Sequence, residues 1–181
     1  LESYNAVSES LPTSIPAFEG AAAAYRESED WEGLVDCYLS FVDAISERDR
    51  VFASLLLVRI SEICAYALGD RARAVELLDR AKELDAGTAV FERRRMVHLE
   101  ALERWDEVVE GLEKRAKEGN AGRSVALYEL ALVHQHHRND SGAALEAMKR
   151  LTESQPDSPW VSLRLLELLL LEKQWEDSAT L

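Results

Sequence analysis

The feature that most constrains this chain is a segment that recurs about every 34 residues. Trp31 begins the segment WEGLVDCYLSFV, and Trp105 begins the related WDEVVEGLEKRAKE. Segments that begin at Asp70, Asn139 and Trp175 can be aligned with these two. The spacings between the aligned positions are 40, 34, 36 and 34 residues, for Leu34, Ala74, Val108, Ala144 and Ser178. Such a period predicts repeated units of a helix, a short turn and a second helix.

Composition supports helices and argues against two classes of partner. The chain has 181 residues, of which 47% are hydrophobic, and only 8 Gly and 4 Pro interrupt it. Ala, Leu, Glu and Arg dominate, and these residues lose little rotamer freedom in a helix. The net charge of −13 would repel a nucleic acid or an anionic membrane surface. No apolar run is long enough to span a bilayer. We therefore expect neither nucleic-acid binding nor membrane insertion.

The residue types within each unit resemble those of the tetratricopeptide repeat family. In the first unit, Phe18, Ala21, Ala22 and Tyr25 match the bulky, Leu-type, small and aromatic positions of the family's first helix. The segment AVELLDRAKELDAGTAV, which begins at Ala74, is close to the family's usual second helix. The resemblance implies an all-α fold, a right-handed superhelix of antiparallel helix pairs. It covers the chain from end to end.

The alignment divides the chain into one array. The predicted segments are 1–14 for the end of a preceding repeat, 15–54, 55–88, 89–122 and 123–158 for four repeats, and 159–181 for a partial fifth. The predicted helix pairs are 15–28/31–48, 51–68/71–84, 89–102/104–118, 123–137/141–154 and 159–172/174–181. Because both ends fall inside repeats, we interpret the chain as an excerpt of a longer array.

Two local features of the alignment remain open. The first unit has six more residues than the 34-residue period, and we place them around SERDRVF, as an extended second helix or a longer connection. In the second unit, either Ser61 or Glu62 can occupy the small position of the first helix, and Ser61 is sterically safer. We expect the small residues Ala22, Ala131 and Ala144 to be buried between paired helices. The aromatic side chains at repeat positions are interpreted as packing residues.

In the family, the first helices of the repeats line a concave groove that binds peptides. Carried over by alignment, the predicted partner-binding residues are Arg93, Arg94, Val97, Tyr128, Leu132, Gln135, Trp160 and Leu163. Members that bind chaperone C-termini use a Lys and Asn clamp, whereas Glu19 and Ala23 stand at the opening clamp positions here. We therefore do not expect that subclass.

The run Glu92-Arg93-Arg94-Arg95 is the only dense basic segment in this acidic chain. Arg93 and Arg94 could present forked donors to the carboxylates of an acidic or C-terminal peptide. The alternative is a solvated face, with Arg95 paired to acids of a neighbouring helix.

Catalytic and metal-binding patterns are not recognised in the sequence. His134 and His137 can share a helix face, but a metal site usually has at least three ligands. Ser-His-Asp, Cys-His and phosphate-binding Gly-rich patterns are absent from the sequence. We expect no catalytic residue, no cofactor and no metal, and we expect Cys37 and Cys64 to be reduced and buried.

The sequence thus predicts a non-enzymatic interaction scaffold that binds a peptide or helix of another protein. The alternatives are a regulatory or substrate-presenting module of a larger enzyme, and an end-to-end self-assembly module. The last helix carries apolar residues over more than one face, so we expect contact through Leu168–Leu171 with another copy. A cytoplasmic location is the default expectation.

Overall fold

The computed structural model describes residues 12–85, 89–118 and 122–171. Within these ranges every regular element is an α-helix. In chain order the helices are α1 (Ile15–Glu27), α2 (Trp31–Ile45), α3 (Arg50–Tyr66), α4 (Arg71–Leu84), α5 (Ala89–Ala101), α6 (Trp105–Lys117), α7 (Arg123–His136), α8 (Ser141–Ser154) and α9 (Pro159–Leu171). The predicted all-α fold of consecutive helices is therefore confirmed.

Helix limits agree with the predicted ones at nearly every end. Each helix begins within one residue of its predicted start, whereas α2 ends at Ile45, three residues before the predicted position 48. The predicted boundary between residues 54 and 55 falls inside α3. The predicted helix 174–181 and the first eleven residues of the predicted segment 1–14 lie outside the described residues.

The structure divides into two compact units between Glu103 and Arg104. The first unit contains α1 to α5, and each of these helices packs against the next. The second unit contains α6 to α9, where α8 packs against both α7 and α9. None of the helices in the described ranges combines the length and hydropathy that crossing a lipid bilayer requires.

The core of the first unit is built from aromatic and small residues of successive helices. Phe18 stacks on Phe41 with ring centroids 4.2 Å apart, and its ring meets Tyr38 edge-on at 4.9 Å. Ala22 is buried beside them, as predicted. Ser61 is also buried, and its hydroxyl donates to the carbonyl oxygen of Val58 at 2.7 Å. The small position of the second repeat is therefore occupied by Ser61.

The second unit has the same construction with aliphatic residues. Ala131 and Ala144, predicted at helix contacts, are both buried. Met148 and Leu151 of α8 are buried too, and Leu165 of α9 has little exposed surface. Small residues on α7 and α8 allow the close approach that lets these larger side chains fill the space between helices.

The additional residues of the first repeat lie mainly in α3. This helix has 17 residues, whereas α5, which occupies the corresponding place in the next repeat, has 13. The prediction of an extended second helix or a longer connection is therefore wrong in its choice of element. The additional turn also has a structural role, because Arg50 donates to the carbonyl oxygens of Glu83 and Leu84 at 2.9 and 3.1 Å. Those carbonyls end α4, where no further helical partner exists.

The turns between the two helices of each predicted repeat share one backbone feature. Each contains a residue with positive φ: Glu29 (54°), Gly69 (72°), Glu103 (55°) and Asn139 (50°). In three of the four turns the next residue is an aspartate that caps the following helix. Asp30, Asp70 and Asp140 each accept the backbone N–H three residues later at 2.9 Å. The turn with Glu103 is the exception, because Arg104 follows it and makes no side-chain cap.

Candidate protein-binding surfaces

The eight predicted partner-binding residues fall into two groups. Arg93, Arg94 and Val97 belong to α5 in the first unit. The others belong to the second unit, on α7 (Tyr128, Leu132 and Gln135) and on α9 (Trp160 and Leu163).

The arginine run on α5 is partly engaged within the first unit. Arg93 is exposed, and Val97 exposes 48% of its surface. Arg94 is half-buried and pairs with Glu62 of α3, whose carboxylate also accepts from Arg59 at 3.2 Å. The guanidinium of Arg94 is therefore already neutralised by a carboxylate of the neighbouring helix.

Arg95 shows the alternative that the sequence left open. Its Nε lies 2.6 Å from Oδ1 of Asp79 on α4, and its side chain is only 19% exposed. The predicted pairing of Arg95 with an acid of the neighbouring helix is confirmed. Of the three consecutive arginines, Arg93 alone is fully exposed.

The second unit contains a groove between α7 and α9. The rings of Tyr128 and Trp160 meet edge-on, with centroids 4.9 Å apart and an interplanar angle of 64°. Beside them is a cavity of about 350 Å³ lined by Tyr128, Trp160, Leu163, Arg164 and Glu167. We call this the Tyr128–Trp160 groove. Three of the predicted residues are thus brought together at one site.

Further residues extend this surface along α7. Leu132 and Gln135, both predicted, are half-buried one and two turns beyond Tyr128. Val125 lies three residues before Tyr128 and exposes 51% of its surface. Sequence reasoning missed Val125 as a candidate, although its spacing of three and seven residues from Tyr128 and Leu132 places all three on one helix face.

Arg164 was also missed, although it supplies the only basic side chain among the residues that line the groove. Its Nη1 donates to Oε2 of Glu167, three residues later on α9, at 2.7 Å. The pair has no net charge. Arg164 lies one residue beyond the predicted Leu163, and its long side chain reaches the groove from a position that helix periodicity assigns to an adjacent face.

The last helix divides its apolar residues between two environments. Val161, Leu165, Leu168 and Leu169 are buried. Leu170 and Leu171 expose 43% and 67% of their surface. The expectation that Leu168–Leu171 forms one uncovered segment is therefore wrong for its first two residues, because these already pack inside the chain.

The histidines do not assemble a metal site within the described residues. His134 buries its Nδ1 without a hydrogen-bond partner, and burial holds its pKa below the ordinary value. His137 instead stacks on Trp105, with ring centroids 3.8 Å apart. In the first unit, His98 also buries an unpaired Nδ1, and burial and the nearby Arg71 lower its pKa.

The two thiols differ in their surroundings. Cys64 is buried, whereas Cys37 is half-buried, and neither forms a disulfide. Burial raises the pKa of both thiols above the ordinary value. A raised pKa keeps them protonated at neutral pH, which disfavours nucleophilic chemistry.

Comparison with known proteins identifies the fold. No protein-family model matches the sequence. No curated protein matches it either. A solved structure of MamA from Desulfovibrio magneticus RS-1 matches 90% of this chain and 88% of its own, with 16% identity and a TM-score of 0.51. A structure of putative kinesin light chain TPR-like repeats from Podosopora anserina matches 93% and 92%, with 17% identity and a TM-score of 0.52.

A third structure, YrrB, is described as a TPR protein with an unusual peptide-binding site. It shares 19% identity with this chain, covers 94% of it and 80% of its own length, and has a TM-score of 0.50. Identities this low establish the fold alone. The chain therefore has the fold of the tetratricopeptide repeat proteins, as the sequence predicts.

Proposed function

We propose that this chain is a protein-interaction module that binds a peptide or helix of another protein on the exposed faces of its first helices. The observation that carries the proposal is the Tyr128–Trp160 groove. Trp160 exposes 52% of its surface and Leu163 exposes 56%, although both are large apolar residues. Exposed apolar clusters of this kind usually mark sites where another molecule binds.

The fold gives independent support to this proposal. The solved structure of YrrB, which has the same fold, is described as having a peptide-binding site. Stacked helix pairs provide an extended surface on which a partner segment can make many small contacts. The residues on these faces carry no arrangement that would supply a nucleophile, so binding accounts for them better than catalysis.

The α5 face is a second part of the same proposal. Exposed Arg93 and Val97 would contact an acidic or C-terminal peptide, and Arg94 would contribute by exchanging Glu62 for a partner carboxylate. That exchange has a cost, because the carboxylate of Glu62 would lose one of its two guanidinium partners. Arg93 is therefore the stronger candidate of the two.

The experiment compares partner capture by the chain and by two sets of variants. The immobilised protein is exposed to lysate, and recovered proteins are quantified by mass spectrometry and then retested as purified pairs. Trp160→Ala removes the groove, whereas Arg93→Glu with Arg94→Glu reverses the charge of the α5 face. We expect a protein that binds directly and is lost with at least one set, while circular dichroism shows unchanged helix content. Direct partners that bind all variants equally would overturn the proposal.

Self-association is a second candidate function. It is favoured by the exposure of Leu170 and Leu171 at the end of α9, which a second copy could cover.

A further inference from the structure

The chemistry of the Tyr128–Trp160 groove limits what can occupy it. Two of its walls are aromatic, and Leu163 supplies a third apolar surface. An incoming apolar side chain would remove the exposed parts of Trp160 and Leu163 from water. This hydrophobic gain grows with the apolar area covered, so large side chains gain most.

The charges at the groove exclude a strongly ionic occupant. Arg164 donates to Glu167 at 2.7 Å, so each charge has an opposite partner within the same helix. A carboxylate of the partner would have to compete with Glu167 for the guanidinium. A lysine or arginine of the partner would meet Arg164 and would have to displace it from Glu167. An uncharged side chain requires neither exchange.

Size sets the number of side chains that the groove can take. A cavity of about 350 Å³ holds one large side chain together with part of the backbone that carries it. The apolar surface continues along α7 from Tyr128 to Val125 and Leu132. These two residues are seven positions apart, which corresponds to roughly 10 Å along a helix. A partner segment anchored in the groove can therefore make smaller apolar contacts on α7.

We propose that the Tyr128–Trp160 groove binds a partner segment through one large uncharged side chain, Trp, Phe or Leu, and that it selects against acidic segments. This inference rests on the proposed function and makes its partner chemistry specific. The aromatic edge of the groove provides the geometric preference, since aromatic rings favour edge-on or offset contacts. The Arg164–Glu167 pair provides the selection against negative charge.

The test uses a phage-displayed library of random 12-residue peptides, selected on the full chain. We expect enriched peptides to share Trp, Phe or Leu at one position and to carry no net negative charge. In calorimetry with a synthetic consensus peptide, Trp160→Ala should weaken binding by about tenfold or more. Trp160→Phe should retain most of the affinity, which separates loss of the anchor contact from loss of folding. Val97→Ala, an exposed apolar residue on α5, is the matched control and should have no effect.

A second pair of variants tests the role of charge. Glu167→Gln leaves Arg164 without its carboxylate, so a consensus peptide with Glu beside its anchor should bind several-fold more tightly to this variant than to the parent. Arg164→Gln should not show this gain.

An acidic consensus, or binding that Arg93→Glu abolishes and Trp160→Ala leaves intact, would overturn the inference while leaving the proposed interaction function in place. A library from which no peptide is enriched would count against both. These outcomes are distinguishable because the first two yield a binder and the last does not.

Discussion

Single buried alanines control how closely the helices of this chain approach one another. Ala22 is 2% exposed on α1, and the next residue, Ala23, is exposed. The two have the same chemical identity and lie in the same helix, so any difference in their tolerance of a larger side chain must come from their surroundings.

We predict that Ala22→Leu lowers the free energy of unfolding by about 1–3 kcal/mol, because the larger side chain forces α1 away from the core. Ala23→Leu should change it by less than about 0.5 kcal/mol, as expected for a surface position. Urea denaturation followed by circular dichroism measures both. Equal denaturation midpoints for the two variants would contradict the assigned helix contacts.

The buried imidazoles lead to a pH prediction. His98 and His134 have pKa values below 6.5 in the folded chain, chiefly because burial disfavours the charged form. As the pH falls below about 6.5, the unfolded chain takes up protons that the folded chain does not. Stability should therefore be full above this pH, fall as the pH is lowered, and level off below the folded pKa values. Urea midpoints at about pH 7.5 and 5.5 measure the difference.

Variants assign this pH effect to particular side chains. His98→Leu removes an imidazole whose Nδ1 has no partner among the described residues, so it should reduce the loss of stability at low pH. His136→Gln changes an exposed histidine and should leave the pH dependence as it is. A pH dependence equal in all three proteins would show that His98 does not contribute.

At the scale of elements, the turns within the repeats are alike in backbone but not in sequence. The left-handed position is filled by glycine at Gly69, by asparagine at Asn139 and by glutamate at Glu29 and Glu103. A residue with a Cβ atom pays roughly 1 kcal/mol to adopt this conformation, and glycine does not. The chain therefore carries strain in two of its four turns.

We predict that Glu103→Gly raises the free energy of unfolding by up to about 1 kcal/mol, since the positive φ of 55° no longer costs energy. Gly69→Ala should lower it by about 1 kcal/mol, and the cost should be conformational, because no atom lies within 4 Å of an added Cβ. As control, Glu100→Gly in the last turn of α5 should be destabilising by up to about 1 kcal/mol. Thermal and urea denaturation measure all three. Destabilisation by Glu103→Gly would contradict the strain argument.

The elements could be predicted from sequence where local signals were strong. Asp70 and Asp140 follow residues that favour turns, and both mark the start of a helix to the residue. The end of α2 was placed three residues late because Ser46, Glu47 and Arg48 do not stop a helix by themselves. What ends it is the start of α3, which Asp49 caps by accepting the N–H of Phe52 at 2.9 Å. The partner of Arg50 on α4 is a tertiary contact that local sequence does not encode.

At the scale of the molecule, the candidate site was predicted in part. Alignment with the repeat pattern was enough to select Tyr128, Trp160 and Leu163, because the face of a helix follows from its periodicity. The pairing of Arg94 with Glu62 could not be predicted, since it depends on how α5 is rotated against α3. The same limit applies to Arg164, whose reach into the groove depends on its rotamer.

We predict that the chain associates reversibly through the exposed end of α9. Leu170 is 43% exposed, so Leu170→Glu should place a charge in the contact and weaken association. Leu55→Glu makes the same change at a residue of α3 that is 54% exposed, and it should leave association unaltered. Static light scattering over a range of concentrations gives the molar mass of each protein. A monomer at every concentration would rule this contact out.

The half-exposed indole of Trp160 has a practical consequence. Fluorescence from an indole in contact with water lies at longer wavelengths than fluorescence from one in apolar surroundings. A molecule that enters the groove would cover this ring, whereas Trp105 is already stacked on His137. Occupancy should therefore appear as a blue shift of the intrinsic emission that is lost in Trp160→Phe. The chain thus carries its own optical reporter at the position where we expect a partner to bind.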